Sequence, residues 1–273
     1  LRIRWTPPKA AAAIDPACVV NPDQARALLS AVAKVGDGTR EIPVPKARRG
    51  SKAPVPVRRK EPQGGPLVAF FGCLYYAGMR PSEALALLDT DLDLPDDDTS
   101  WGLLRVARND PEVTTTWTDN GRRQARQLKH RAQGEVRPVP CCPDLVALLR
   151  RHLATYGTGP DGRLFRGARG GTVKESVYTE VWQGARERAF TARQVASPLA
   201  ARPYDLRHSC VSAWLAAGVE PPKIAAWVGH SVAVLHRVYA HVLPHRDQVA
   251  KKRIEDLLTS EVDVSPPPDG AVR

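Results

Sequence analysis

The chain has 273 residues, 42% hydrophobic and 25% charged, and 40 Lys and Arg against 29 Asp and Glu give a formal net charge of +11. This mix supports a sizeable core, and the positive excess fits a polyanionic partner. No apolar run approaches the ~20 residues of a membrane span, no signal peptide is visible, and five cysteines without a CxxC spacing point to reduced, buried thiols in a cytosol rather than a disulfide framework.

Residues 1–16 are Pro/Ala-rich, carry Arg2, Arg4 and Lys9, and read as a linker from a missing N-terminal region. Asn21-Pro22 has the form of an N-cap followed by proline at the first helical position, with Ala25, Leu28, Leu29 and Val32 as the apolar stripe. Residues 36–65 hold Pro43, Pro45, Pro54, Pro56 and Pro62 among eight basic residues. Proline at that density forms neither helix nor central strand, so this segment reads as a mobile insertion, either a solvated linker or an arm that tracks phosphates. Pro66 to Gly78 is a strongly apolar helix and Ser82 to Leu88 a second one, opened by Pro81. Asp89 to Leu94, Gly102 to Ala107 and Arg137 to Pro140 are strand candidates. Helices follow at Asp144–Tyr156, Ser176–Phe190, Cys210–Ala217, Pro222–Val228, Val234–His241 and Asp247–Leu258, with Gly157, Gly218 and Gly229 as stops. Residues 260–273 form a Pro-rich flexible tail, which leaves 17–259 as one domain. It is mainly α with a small antiparallel β-sheet near its middle.

Four residues carry a chemistry. Arg80 stands between one helix's end and the next one's start, and Glu83, one turn on, is placed to pair with its guanidinium. Arg207 lies in Tyr204-Asp205-Leu206-Arg207-His208, where Asp205 is placed to cap the following helix. His230 follows the helix-ending Gly229, and Tyr239 comes nine residues later. Each alone also reads as an ordinary surface, cap or core residue. Together they supply what attack on a phosphodiester needs. Two planar, permanently charged guanidiniums can neutralise a five-coordinate phosphorus. A phenol is a nucleophile once oriented beside positive charge or a base. His230 is suited to donate to a phosphate oxygen or to assist proton movement. His208 is either a hydrogen-bonding partner behind Arg207 or a satisfied buried histidine.

This order and spacing resemble the tyrosine recombinase (phage integrase) family, especially integrases of actinobacterial mobile elements, over residues 21–258 and most strongly at 77–88 and 202–241. The resemblance implies a mainly helical catalytic fold and a covalent 3′-phosphotyrosyl intermediate on Tyr239, formed without metal, ATP or other cofactor. It further implies double-stranded DNA with attachment sites as substrate, and a homotetramer on DNA that is monomeric when free. A directionality factor as accessory partner, a bacterial cytoplasmic, nucleoid-associated location and a DNA-binding region before residue 1 complete the expectation. The family places a leaving-group acid on a hairpin between the arginines. Lys129 is the choice here, with Arg122, Arg123, Arg126 and Arg131 gripping DNA beside it. Where the family commonly has His, this chain has Tyr204, a phenol that keeps a hydrogen-bonding role and is a poor proton acceptor. The final helix resembles a segment that docks on a neighbouring protomer, and its apolar residues could equally pack in cis.

Two other readings stay open at this level. The same residues serve type IB topoisomerases, which relax supercoils, and a silent DNA-binding module would also be basic. A zinc cluster of His230, His236, His241 and His245 lacks compact tetrahedral spacing.

Overall fold

The computed structural model describes residues 13–36, 39–42, 57–60, 62–97, 99–109, 126–127, 136–239 and 246–258. Helix α1 (Pro22–Ala33) opens on a capping box: Asn21 accepts from the Gln24 amide at 2.9 Å and Gln24 from the Asn21 amide at 3.0 Å. Its Ala25, Leu28, Leu29 and Val32 are buried along one face. Helix α2 (Val68–Tyr76) is apolar all round and runs through the centre of the domain. It packs against α1 and α4 (Pro143–Tyr156), while α1 also lies against α5 (Glu175–Ala189). Phe70, Phe71, Phe165, Tyr178 and Trp182 interlock here. The Phe71 and Trp182 rings are 5.0 Å apart, and the Trp182 indole donates to the Ala200 carbonyl at 2.7 Å.

Beside this core is a three-stranded antiparallel sheet of β3 (Leu92–Asp93), β4 (Gly102–Val106) and β7 (Arg137–Cys141), in that order. Alternation along β7 turns Arg137, Val139 and Cys141 inward, so a guanidinium enters the interior on the same face as two apolar side chains. Residues 39–42 and 57–60 form an antiparallel pair, β1 and β2, inside the segment expected to be loop. The prolines at 43, 45, 54 and 56 lie between the two strands, not in them. A second short pair joins β5 (Arg108–Asn109) to β6 (Arg126–Gln127).

A smaller hydrophobic cluster closes the C-terminal side. It is built from α7 (Asp205–Ala216), α8 (Pro221–Val228) and α9 (Val232–Val238), with Val211, Leu215, Ile224, Val228, Leu235 and Tyr239 at its centre. Helix α10 (Arg246–Leu258) is joined to α7 by Arg253, which donates to the Gly218 and Ala217 carbonyls at 2.7 and 2.8 Å. Its Ile254, Leu257 and Leu258 are exposed. No helix among the described residues is long and apolar enough to cross a membrane.

Several elements differ from the sequence expectation, among them the strand expected at Asp89–Leu94, where only Leu92–Asp93 is strand, and the helix expected at Val234–His241, which runs Val232–Val238. The helix opened by Pro81, α3, stops at Ala84 and continues as turns. A short α6 (Ala192–Val195), capped by Thr191, was not foreseen. Helix α7 starts five residues earlier than expected, so Arg207 lies in its first turn rather than ahead of it. Asp205 is correspondingly inside the helix, and its carboxylate accepts from the amide and guanidinium of Arg202 at 2.8 and 2.9 Å.

Candidate active site

Glu83 is the hub. It sits in the third position of α3, where its Oε2 accepts from the Arg80 backbone amide at 2.9 Å. Its carboxylate also takes three guanidiniums. Arg80 Nη1 donates to Oε1 at 2.7 Å, Arg137 grips both oxygens at 3.0 and 2.7 Å, and Arg207 Nη1 lies 3.8 Å from Oε2. Burial opposes the negative charge of Glu83, but Arg137, then Arg207 and Arg80, outweigh it and hold the carboxyl down at about 2. One carboxylate thus faces three cations, and among the described residues two positive charges are left without a counter-ion in a largely buried cluster.

Backbone carbonyls share the load. Arg207 is fully enclosed; its Nη1 donates to the Gly78 carbonyl and its Nη2 to the Val228 carbonyl at 2.7 Å. Arg80, a third exposed, reaches the Gly229 carbonyl at 3.2 Å. The C-terminal end of α8 therefore turns its negative dipole toward the guanidiniums. Gly78 and Gly229 make this approach possible. Both have left-handed backbone (φ +58° and +67°), and a Cβ at Gly229 would collide with the Arg137 guanidinium.

His230 Nε2 lies 3.0 Å from Arg207 Nη2. A guanidinium only donates, so this nitrogen accepts and the ring proton resides on Nδ1, which is buried with no partner among the described residues. Burial, then Arg207 and Arg80, lowers the His230 pKa to about 3, so the ring is neutral. On the other side of Arg207, Tyr204 sets its ring 6.0 Å from the guanidinium carbon and edge-on to His208 at 5.1 Å. The Tyr239 hydroxyl is 2.9 Å from His208 Nδ1, and its ring is completely buried. Burial raises the Tyr239 pKa well above 10, with Arg207 pulling the other way.

Arg80, Glu83, Tyr204, Arg207, His208, His230 and Tyr239 are therefore joined in one network of contacts, although they come from three separated stretches of chain. Lys129, Arg122, Arg123 and Arg131 lie outside the described residues; of Arg126 the backbone pairs with Asn109. Arg137 and the Gly78, Val228 and Gly229 carbonyls were not anticipated. The available signal was Arg137 itself: an arginine alternating with Val139 and Cys141 on an inward strand face needs a buried acid.

Helices around a short antiparallel sheet, with clustered arginines and an adjacent tyrosine, have the fold of a tyrosine recombinase catalytic domain. The sequence pattern of the Phage integrase family matches residues 57–246, and the chain belongs to that family. It is 30% identical over 171 residues to the tyrosine recombinase XerC of Mesorhizobium japonicum, a match that covers 62% of this chain and 44% of that protein. The chain thus spans less than half the length of this curated relative. Its fold is that of the Tn1549 transposon integrase in complex with circular intermediate DNA (TM-score 0.57, 18% identity, covering 89% of this chain and 68% of that one). The XerA recombinase is a further structural match (TM-score 0.50, 17% identity, covering 94% and 68%).

Proposed function

We propose that this chain is the strand-cleaving and rejoining part of a site-specific DNA recombinase, an integrase that works through a 3′-phosphotyrosyl bond to Tyr239. The observation that carries the reading is the surplus of positive charge around Glu83 with a tyrosine hydroxyl alongside. A phosphodiester supplies the missing negative charge, and more so as it gains a fifth oxygen. Arg80 and Arg207 neutralise the non-bridging oxygens. His230 adds the Nδ1 donor that Arg207 leaves free, and Tyr204 a phenolic donor. The Tyr239 oxygen attacks phosphorus in line, the bond to the 5′ oxygen breaks, and Lys129 protonates that leaving group. The phosphotyrosyl bond keeps the energy of the broken ester, so a 5′ hydroxyl from another strand reseals it without ATP. The guanidiniums carry the charge that a metal would otherwise have to carry.

Arg207 and Tyr239 are enclosed, so DNA entry requires the cluster around them to open. Double-stranded DNA as partner is supported by the DNA-bound Tn1549 integrase and XerH structures. Arg122, Arg123, Arg126 and Arg131 are assigned to the DNA backbone. Four copies assemble on DNA, with the exposed Ile254, Leu257 and Leu258 of α10 seated on a neighbour, and an accessory factor sets direction.

The test uses a library of randomised duplexes carrying one bridging 5′-phosphorothiolate, which traps cleavage products. The chain is expected to yield protein-linked DNA on a denaturing gel, and Tyr239→Phe none while still binding DNA. Sites recovered this way should then support exchange between two duplexes rather than relaxation of a supercoiled plasmid. No protein-linked DNA from the unchanged chain, or an undiminished yield from Tyr239→Phe, contradicts the reading.

A further inference from the structure

A buried phenol that attacks phosphorus has to lose its proton, and among the described residues the site holds few groups able to take it. Glu83 is committed to three guanidiniums and stays ionised down to about pH 2. The Asp205 carboxylate is occupied by Arg202. His230 uses its Nε2 lone pair on Arg207, and its other nitrogen carries a proton. His208 remains, and its Nδ1 is already at hydrogen-bond distance, 2.9 Å, from the Tyr239 hydroxyl.

We infer that His208 is the proton acceptor for Tyr239, so that the two histidines divide the work: His230 donates toward the phosphate and His208 receives the phenolic proton. This rests on the reading of Tyr239 as the nucleophile and names the base for it. The placement is rigid. His208 follows Arg207 in the first turn of α7, and Tyr204, one turn before it, packs edge-on against the imidazole. Among the described residues, the charged and titratable groups that face the ring are Asp205, Arg207 and Arg202 from α7 and its approach, Tyr204 beside them, His230 ahead of α9 and Tyr239 after it. Burial chiefly, with Arg207 and Arg202 against Asp205, lowers the His208 pKa to about 4, so its lone pair is available at neutral pH. A phosphodiester drawn to Arg80 and Arg207 offsets the charge of Arg207 and so raises the basicity of His208 when it is needed. The phenol becomes steadily more acidic as its oxygen bonds to phosphorus, so transfer occurs late along the attack.

The step balances. The Tyr239 O–H bond breaks and its proton passes to His208 Nδ1. The oxygen–phosphorus bond forms, and the P–O5′ electron pair leaves with the 5′ oxygen, which takes a proton from the separate acid. In rejoining, the imidazolium returns its proton to the departing tyrosine oxygen.

Single-turnover cleavage of a captured DNA site by the chain, His208→Asn and His208→Ala tests this. Asparagine keeps an acceptor near the Nδ1 position and cannot carry the proton away. Both variants are expected to cleave about 10²–10⁴-fold more slowly. The deficit should be undiminished on a 5′-thiolate substrate, whose leaving group needs no acid, and free imidazole should partly restore His208→Ala. Wild-type rates from His208→Asn would overturn the inference, as would a deficit that disappears with the 5′-thiolate. Cleavage by Tyr239→Phe would instead sink the nucleophile reading beneath it. A check independent of DNA is the ¹⁵N spectrum of the imidazoles. His208 should carry its proton on Nε2, with an Nδ1 resonance that moves in Tyr239→Phe; a proton on Nδ1 in the unchanged chain refutes the inference.

Discussion

The arginine half and the tyrosine half of the site are held by different parts of the molecule. Arg80, Glu83 and Arg137 lie on α3 and β7, backed by the large core of α1, α2, α4 and α5. Tyr239 belongs to the smaller cluster of α7, α8 and α9, at the end of a seven-residue helix. Arg207 bridges the two: it is carried by α7 and bonded to Gly78 on one side and Val228 on the other. The arginine half is therefore built into the large core, while the proposed nucleophile, Tyr239, rides on a short helix packed in the smaller cluster. That arrangement suits a reaction in which the phosphate site must be preformed and the tyrosine must be exposed and withdrawn.

The comparison can be broken most severely at Glu83. Glu83→Gln leaves three guanidiniums without their carboxylate and should cost about 3–5 kcal/mol in urea unfolding, with cleavage lost as well. It should also change the acid limb of stability. A carboxyl lowered from 4.5 to about 2 stabilises the fold fully above 4.5 and loses that contribution as pH falls toward 2, so the variant should lack this dependence. Next in size, Leu235→Ala removes a buried side chain from the small cluster and should cost about 2–5 kcal/mol there. Hydrogen exchange should rise in α9 before it does in α2; a uniform rise would mean the two halves unfold as one. Gly229→Ala should cost roughly 1–2 kcal/mol for its left-handed backbone and displace Arg137, seen as slower cleavage with DNA binding retained.

Mild acid sharpens the same contrast. His208 and His230 are lowered from 6.5 to about 4 and about 3, so the unfolded chain binds their protons first. Stability falls as pH drops below 6.5, before the loss due to Glu83 begins. His152 of α4 is lowered in the same way by burial, by a smaller shift, so exchange measured from pH 7 to 5 should loosen α7–α9 more than the large core. The smallest effect is expected at Ile254→Ser, within about 0.5 kcal/mol of unchanged stability for an exposed position, with assembly on DNA weakened in a gel-shift titration.

Much of this was legible in the chain. Proline and glycine punctuation located most helices, and the Gly78 to Glu83 stretch placed Arg80 and its partner because a helix stop followed by Pro81 leaves little freedom between them. Periodicity failed where a charged residue is buried. Arg207 and His208 break the apolar pattern of α7, so periodicity alone starts that helix at Cys210, and nothing in the short strand 137–140 marks Arg137 as buried. Their burial depends on Glu83, 54 positions from Arg137, and on carbonyls that no local pattern reveals. The β1–β2 pair was obscured by the prolines between its strands.

The most direct test of the account is mass spectrometry of the trapped, protease-digested protein–DNA complex. The account predicts a nucleotide remnant on Tyr239, in the peptide that follows α9, and its disappearance in Arg207→Ala. A remnant on any other residue, or one on Tyr239 that persists undiminished without Arg207, would contradict it.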